Sequence, residues 1–425
     1  MDVPPRRGDD AVSYVVTGSE MYRQSLDELG PDAVLAKTIH DESGQPLLMA
    51  GTVLSPRYLE ALRRRGQLSV YVRDGLADDV APEDAISESL RAQVTGHVAE
   101  VFQRVSLVAA ERAHPEGGVD GAIDRLGEQP LGLGEGETIE QLYTDVEQLI
   151  TEILESDTCA GLDSLKTHSE YTFQHSVDVA VMGTLVGKRL AMPIDRLREL
   201  ALGCLLHDIG KTYIDRAILD KPGPLTEEEF AAVQEHPRMG FELVRRMPFR
   251  SLLPAHVAYQ HHEKQGGGGY PRGLIGTNSV GARTMHERVG AGRMLLIAEI
   301  GAVADVYSAL TSDRPYRAAM LPDQVATVLA QMAGAHLNRE LVATLRRLVP
   351  SYPIGCWVEV VEGRFRGWRG VVTEVHPVDV DRPVVRLHLD EIGEALASPA
   401  EVDTRTEPDL SLRCVSGAVP VAVPT

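Results

Sequence analysis

The 425-residue sequence has no long segment rich in lysine and arginine, and its net charge is −20. Proteins that bind long nucleic acids or anionic membranes need clustered positive charge, because contacts to phosphate supply most of their affinity. The charge balance therefore excludes both as main partners. A small anionic substrate would need a local positive group, and a metal ion is the obvious candidate.

Several other features are also scarce. Aromatic residues make up 5% of the chain, too few for the stacking platforms that bind single strands. No apolar stretch reaches the roughly 18 residues of a membrane-spanning helix, and no apolar segment follows the N-terminal arginines, so we expect no signal peptide. The four cysteines are Cys159, Cys204, Cys356 and Cys414. They form no C-x-x-C pair, which favours a cytoplasmic protein with reduced thiols.

The composition and hydrophobic pattern of the sequence change several times along the chain. A small α+β module comes first, then a helical and linker region, a long helix-rich domain, a small β-barrel-like extension and a tail. The predicted boundaries of these parts are 1–80, 81–158, 159–350, 351–410 and 411–425. Residues 113–137 are rich in glycine, proline and acid, and are predicted to be a loop or linker. The chain is therefore predicted to be mostly α-helical, with a helical bundle as its main domain.

A predicted helix over residues 138–157 has one apolar stripe. Its apolar residues recur at steps of three and four: Ile139, Leu142, Val146, Leu149 or Ile150, and Ile153. Such a stripe either joins two copies of the chain as a homodimer, through a short coiled-coil seam, or packs on the next domain. The sequence leaves both alternatives open.

The helix-rich domain contains an unusual set of potential metal ligands. They are His175, His207, Asp208, His236, His261, His262 and Asp305. Imidazole nitrogen and carboxylate oxygen suit divalent metals such as Fe, Mn, Zn, Co and Ni. Asp305 lies within the apolar stretch IGAVADVYSAL, where an unpaired buried charge would be costly. Inward-pointing polar residues on separate apolar helices predict one shared site inside a helical bundle.

The order and most spacings of these residues resemble the HD-GYP family, a bacterial subclass of the HD metal-dependent phosphohydrolases. The resemblance covers about residues 160–350 and rests on YTFQHSVDVA, LLHDIGK, ILDKPGPLTEEEFAAVQEHP, HHEKQGGGGYPRGL and AVADVYSALTSDRPYR. It implies hydrolysis of a phosphodiester bond of the bacterial second messenger cyclic di-GMP. It also implies a two-metal site with a bridging hydroxide.

The resemblance implies a role for individual residues. The histidines and aspartates named above fall on the family's metal ligands, and Asp208 falls on the carboxylate that bridges the two metals. Lys211 falls on the lysine that contacts phosphate, so Asp208 and Lys211 are the predicted catalytic residues. Arg314, Arg317 and Tyr270 fall on positions predicted to contact the nucleotide.

The resemblance also bears on the number of metal ions. Some family members have a glutamate four residues before the first histidine, which adds a third metal, and here that position is Tyr171. We therefore expect two divalent metal ions, with Fe or Mn as the first candidates. Two such ions would offset the negative field of the chain around an anionic substrate.

The sequence departs from the family pattern in three further places. Gly266 and Ser308 stand where the family usually has aspartate, which predicts weaker support for the metal ligands. The glycines at 266–269 predict a loop with a permissive backbone, either a mobile lid or a loosened turn. Residues 278–292 are longer than the usual connection, and are predicted to be a surface loop.

These departures keep two other functions open. A degenerate HD-GYP protein could sense a nucleotide, or bind a signalling partner through its Gly-Tyr-Pro loop, with little or no turnover. An HD phosphohydrolase could also act on a different nucleotide. A turnover assay with metal-reconstituted protein discriminates among these hypotheses.

Overall fold

The structure is a computed structural model. It describes residues 22–27, 29, 33–40, 46–65, 67, 69–73, 84–112, 118–127, 131, 137–156, 171–221, 223–285, 287, 290–312 and 319–415. Over these ranges the helices and antiparallel sheets surround three separate clusters of buried apolar side chains. None of the helices in them is both long and apolar enough to cross a membrane.

Thirteen helices are found among the described residues. They are α1 Pro56–Arg64, α2 Glu88–Arg112, α3 Gly118–Leu126, α4 Glu137–Glu155, α5 Tyr171–Arg189, α6 Ile194–Leu205, α7 Arg216–Leu219, α8 Glu227–Val233, α9 His236–Val244, α10 Leu253–Gln260, α11 Leu296–Thr311, α12 Pro322–Met332 and α13 Arg339–Arg346. A 3₁₀ turn, Ile209–Tyr213, lies between α6 and α7.

Nine strands form three sheets in the same part of the chain. They are β1 Tyr22–Ser25, β2 Ile39–His40, β3 Pro46–Leu48, β4 Ser69–Val72, β5 Trp357–Glu362, β6 Arg369–Glu374, β7 Val384–Leu389, β8 Ala395–Asp403 and β9 Ser411–Cys414. β1 pairs with β4 and β2 with β3, while the other five strands form one sheet in the order β8-β7-β6-β5-β9.

The N-terminal region has the predicted α+β character. Ser55 caps α1, because its hydroxyl accepts a hydrogen bond from Tyr58 N and Pro56 opens the helix. The short strands and α1 enclose a small core that includes Leu35, Leu54 and Leu62.

The region predicted to be a linker contains a helix. The sequence GVDGAIDRL forms α3 despite its glycines. Ala122 and Leu126 are buried in the main helical core, with Val119 and Ile123 packed against it. Burial of this apolar face outweighs the low helix propensity of glycine. The loop prediction is therefore wrong for residues 118–126.

Helix α4 packs within its own chain. All of its stripe residues, from Ile139 to Ile153, are buried, and the helix contacts α2, α5 and α6. Of the two alternatives left open by the sequence, the structure therefore favours packing on the next domain. The apolar side chains of α2 and α4 belong to the same core as those of α5, α6, α10 and α11.

Helices α5, α6, α10 and α11 pack side by side and position the metal-ligand candidates. The turn that follows α6 lies so close to α9 that a Cβ atom on Gly210 would be 1.9 Å from His236 O. Only glycine allows this approach, which brings the His207-Asp208 pair next to His236.

The C-terminal sheet is open. Strands β8 and β9 lie at its two edges, so the expectation of a barrel-like extension is wrong. Its core includes the buried side chains of Val358, Val372 and Leu387. The sheet also continues into the predicted tail, because Leu412 and Cys414 of β9 are buried in it.

Candidate metal centre

The structure brings all the predicted metal ligands into one place. His175 lies in α5, His207 and Asp208 follow α6, and His236 opens α9. His261 and His262 follow α10, and Asp305 lies in α11. His262 and Asp305 are partly exposed and the others are buried. The centre is therefore a largely buried cluster formed by side chains from three helices and from the two turns that follow α6 and α10.

The ligand atoms form three overlapping groups, one of which, His207, Asp208 and His261, joins two sets that share no residue. His175, His207 and Asp305 form one set, and His236, His261 and His262 form the other. In each set the potential ligand atoms lie within 4.8 Å of one another. Either set could hold one divalent ion through nitrogen and oxygen ligands.

Asp208 lies between the two sets. Its Oδ2 is 3.5 Å from His207 Nε2, while its Oδ1 is 3.4 Å from His236 Nε2 and 3.8 Å from His261 Nε2. Its two oxygens therefore face different sets.

The tautomers of three histidines follow from their hydrogen bonds. Nδ1 of His207 donates to Cys204 O at 2.7 Å, Nδ1 of His236 to Val233 O at 2.6 Å, and Nδ1 of His261 to Ala258 O at 2.9 Å. A carbonyl oxygen can only accept, so each Nδ1 carries the proton. Each Nε2 therefore presents a lone pair to the centre, as in metal-binding histidines.

These bare atoms need a cation. Nε2 of His236 and Nε2 of His261 are 3.2 Å apart, and two lone pairs cannot form a hydrogen bond with each other. At metal–nitrogen distances of about 2.1 Å, two ligands of one ion lie about 3.0–3.4 Å apart. His207 Nε2 and Asp208 Oδ1 are also buried with no hydrogen-bond partner. Such groups are costly unless an ion binds them, so the site fits a metal.

The protonation states suit metal binding. Burial lowers the pKa of His236 and of His262 to about 3, so both imidazoles are neutral ligands near neutral pH. Burial alone would raise the pKa of Asp208, but the charge of the Lys211 ammonium lowers it well below the usual value. The carboxylate is therefore ionised.

Comparison with known proteins agrees with this geometry. Residues 162–286 match the family model described as HD domain. This part of the chain is similar to HD domains. Domains of this family bind divalent metals, and the clustered histidines and aspartates of this one are suited to do so.

The curated relatives carry names that bear out the resemblance to HD-GYP proteins. A cyclic di-GMP phosphodiesterase from Pseudomonas aeruginosa is 36% identical over 227 residues, which are 53% of this chain and 50% of that protein. A 3'3'-cGAMP-specific phosphodiesterase from Vibrio cholerae is 37% identical over 187 residues, 44% of this chain and 37% of that protein. A cyclic di-GMP phosphodiesterase from Thermotoga maritima is 31% identical over 216 residues, 50% of this chain and 52% of that protein. The chain spans about half or less of the length of these relatives.

Two more of the predicted residues lie beside the ligands of the HD domain. Lys211 Nζ is 2.5 Å from Asp208 Oδ2, and its side chain remains partly exposed. The ring of Tyr270 stacks on that of His262, with centroids 4.6 Å apart and planes at 25°. Arg314 and Arg317 lie outside the described residues, as does the side chain of Tyr171.

Ser308 contacts one of the candidate metal ligands, His175. Its buried hydroxyl oxygen is 2.8 Å from Nδ1 of His175, whose Nε2 faces Asp305 Oδ1 at 3.1 Å. A hydroxyl on Nδ1 orients an imidazole as a carboxylate would, though without charge. The support that was predicted to be weakened by the loss of aspartate is thus still in place.

The glycine loop of the HD domain is a close-packed turn. Gly267 and Gly268 have φ of 77° and 73°, where other residues are strained. A Cβ atom on Gly269 would lie 2.5 Å from Glu263 Cα. The carboxylate of Glu263 accepts hydrogen bonds from the backbone nitrogens of Arg272 and Leu274, both at 2.7 Å. These contacts hold the two ends of the turn, and its mobility stays a prediction.

The segment predicted to be a surface loop, residues 278–292, also supports the domain. Arg283 pairs with the fully buried carboxylate of Glu299 in α11 at 3.2 Å, and its Nε donates to Glu287 at 2.8 Å. The carboxylate of Glu287 in turn accepts from Leu296 N at the start of α11. The sequence reasoning missed these residues. Glu299 in the apolar stretch LIAEIGAV was the available signal, since a buried carboxylate needs a partner.

Proposed function

We propose that the chain hydrolyses a phosphodiester bond of a cyclic dinucleotide, with cyclic di-GMP as the first candidate, in bacterial second-messenger signalling. The observation that carries this proposal is the position of Asp208 between two sets of ligand atoms. The names of the curated relatives support the class of substrate. Roles of individual residues are part of the proposal.

Two divalent ions, when bound, would supply an activated water molecule and neutralise the phosphate oxygens. The protein contributes the positions of the ligands. Hydrogen bonds from Nδ1 to backbone carbonyls fix the three rings of His207, His236 and His261. Because the rings are held in advance, little reorganisation is needed when substrate arrives. The buried floor of the site also excludes bulk water.

Lys211 contributes a mobile positive charge. Its ammonium contacts Asp208, and the side chain is 27% exposed, so it can turn towards a phosphate oxygen without leaving the site. Burial raises the pKa of Tyr270, so its hydroxyl stays protonated and can donate a hydrogen bond to the nucleotide. Arg314 and Arg317 remain predicted contacts to a guanine edge or to the second phosphate.

A turnover assay tests the proposal. The full chain is reconstituted with Fe²⁺ or Mn²⁺ without oxygen and incubated with cyclic di-GMP, 3'3'-cGAMP or cyclic di-AMP, and the products are separated chromatographically. We expect hydrolysis of cyclic di-GMP, and its loss in Asp208→Ala. Asp220→Ala is the matched control, because Asp220 forms an exposed pair with Arg216 outside the site.

The assay also separates the other candidate functions. Binding of cyclic di-GMP without turnover under either metal would replace the proposal with a nucleotide sensor. Hydrolysis confined to another nucleotide would make the chain a broader HD phosphohydrolase. Full activity of Asp208→Ala would contradict the assignment of the metal centre itself.

A further inference from the structure

Two cysteines that are far apart in the sequence meet in the C-terminal sheet. Cys356 directly precedes β5 and Cys414 ends β9. The start of β5 and the end of β9 are adjacent, because Val358 is paired with Cys414 in the antiparallel register. The two Sγ atoms are 3.3 Å apart although the residues are 58 positions apart. Among the described cysteines, no disulfide is present.

The two thiols differ in access to solvent. Cys356 is partly exposed and Cys414 is buried at 2% exposure. The Cys414 thiol donates to Ser351 O at 3.5 Å, and its sulfur accepts from the thiol of Cys356. A small oxidant can therefore reach Cys356, and the sulfur of Cys414 lies close enough to bond to the sulfur of Cys356.

The third described cysteine lacks this arrangement. Cys204 is fully buried in the helical core, and burial raises the pKa of its thiol. The pKa of the Cys414 thiol is also raised, by its contact with Cys356 and by burial. The difference is that Cys414 lies against the sulfur of a second cysteine, and no such contact joins Cys204 to another described cysteine. The contrast provides an internal control within the same chain.

We propose that Cys356 and Cys414 form a reversible disulfide when the protein meets a peroxide. This is a modification site in the C-terminal sheet, separate from the metal centre and independent of the function proposed above. Partly exposed thiols next to a second cysteine are typical of redox-responsive sites.

The chemistry balances with hydrogen peroxide as oxidant. The sulfur of Cys356 attacks one peroxide oxygen, the O–O bond breaks, and one water leaves as the thiol becomes a sulfenic acid. The sulfur of Cys414 then attacks that sulfur, the S–S bond forms, and the S–O bond breaks. The departing hydroxide takes the Cys414 proton as a second water. The two sulfurs lose two electrons together, and the peroxide gains them.

The disulfide would join the start of β5 to the end of β9, next to the contact between the sheet and the helical domain. It closes a loop that contains all five strands, which reduces the freedom of the unfolded chain. Cys414 N also donates to Asp323 Oδ2 in the first turn of α12, at 3.1 Å. A bond at Cys414 therefore fixes the place where the sheet meets α12.

Peptide mapping of the oxidised full chain tests this proposal. The protein is treated with hydrogen peroxide, its remaining thiols are alkylated, and it is digested without reductant. We expect one cross-linked species joining the peptides of Cys356 and Cys414, with the loss of two hydrogens, and its disappearance after dithiothreitol. The melting temperature of the sheet should rise by about 5 °C on oxidation. Cys356→Ser and Cys414→Ser should abolish both effects, and Cys204→Ser should retain them.

Other outcomes would overturn it. These are recovery of Cys356 as a sulfinic acid beside a free Cys414, and cross-links made only through Cys159. The peptide map of the oxidised chain without substitutions decides the question even if a serine variant fails to fold. Hydrolytic activity is not part of the readout, so failure here leaves the proposed function unaffected, and the reverse also holds.

Discussion

At the scale of single residues, the candidate metal centre is defined by its ligand atoms. These are nitrogen and oxygen atoms that carry no proton, and two of them, His207 Nε2 and Asp208 Oδ1, are buried without a hydrogen-bond partner. The sequence predicted the ligands, because histidine and aspartate stood out within apolar helices such as that of Asp305. It could not predict which nitrogen of each ring is bare, since that depends on contacts with backbone carbonyls. The role of Ser308 was also hidden, because its partner His175 is 133 positions away.

Removal of the Ser308 hydroxyl tests its supporting role. Ser308→Ala removes the hydroxyl that contacts Nδ1 of His175, so the ring is less well oriented toward the metal. We expect metal affinity, measured by competition with a chelator, and turnover to fall by about 10- to 100-fold. Ser308→Asp should recover both. Ser312→Ala is the control, because its hydroxyl only donates to Ser308 O in the same helix. Equal losses in both alanine variants would show that Ser308 has no specific role.

A second residue-scale prediction concerns the close approach at Gly210. In Gly210→Ala the new Cβ would meet His236 O, so α9 must move and displace its histidine. We expect a loss of more than about 3 kcal/mol in the free energy of unfolding, together with loss of bound metal. Gly240→Ala on the facing helix meets its nearest atom at 3.4 Å and should be nearly neutral. A stable, metal-loaded Gly210→Ala would contradict the packing described here.

At the scale of elements, helix α11 carries residues of the site and the residue that anchors its own start. It carries Asp305 and Ser308 in its second half and Glu299 in its first turn. The residues that fix its start, Arg283 and Glu287, belong to a segment that departs from the family pattern. Sequence reasoning predicted the helix from its apolar residues. Sequence reasoning could not predict where residues 278–292 lie, because an ion pair between a loop and a helix leaves no periodic pattern in the sequence.

The ion pair at the start of α11 leads to a third prediction. Arg283→Met leaves the carboxylate of Glu299 buried without its cation, and should lower the free energy of unfolding by about 3–5 kcal/mol in chemical denaturation. The double variant with Glu299→Gln should be less destabilised, because the uncompensated charge is gone. Arg216→Ala, which breaks an exposed pair, should change stability by less than about 0.5 kcal/mol. If the double variant were as unstable as Arg283→Met alone, charge would not explain the effect.

At the scale of the whole molecule, the net charge of −20 opposes any anionic ligand. The buried charge of Asp208 and the partly exposed charge of Asp305 add to this field inside the site, and Lys211 alone does not balance them. Composition predicted that a local cation would be needed, and the geometry shows where it would bind. Composition could not predict how the outer parts fold. Alternating β-branched residues indicate strands equally for an open sheet and for a barrel, and only the pairing order distinguishes them.

The charge argument leads to a prediction for the metal-free protein. After chelation and dialysis, isothermal titration should detect little or no binding of cyclic di-GMP at moderate ionic strength, because the field of the protein then repels the nucleotide. Restored metal should restore binding. Tight binding to the chelated protein would show that residues other than the metal ligands overcome the charge.

The most direct test of the central claim is the metal content of the purified chain. After reconstitution without oxygen, elemental analysis by mass spectrometry should find two divalent ions per chain. His175→Ala and His262→Ala, one from each set, should each lose close to one ion, and Asp208→Ala should lose both. A single ion per chain, or an unchanged content in Asp208→Ala, would contradict a two-metal centre with Asp208 between its halves.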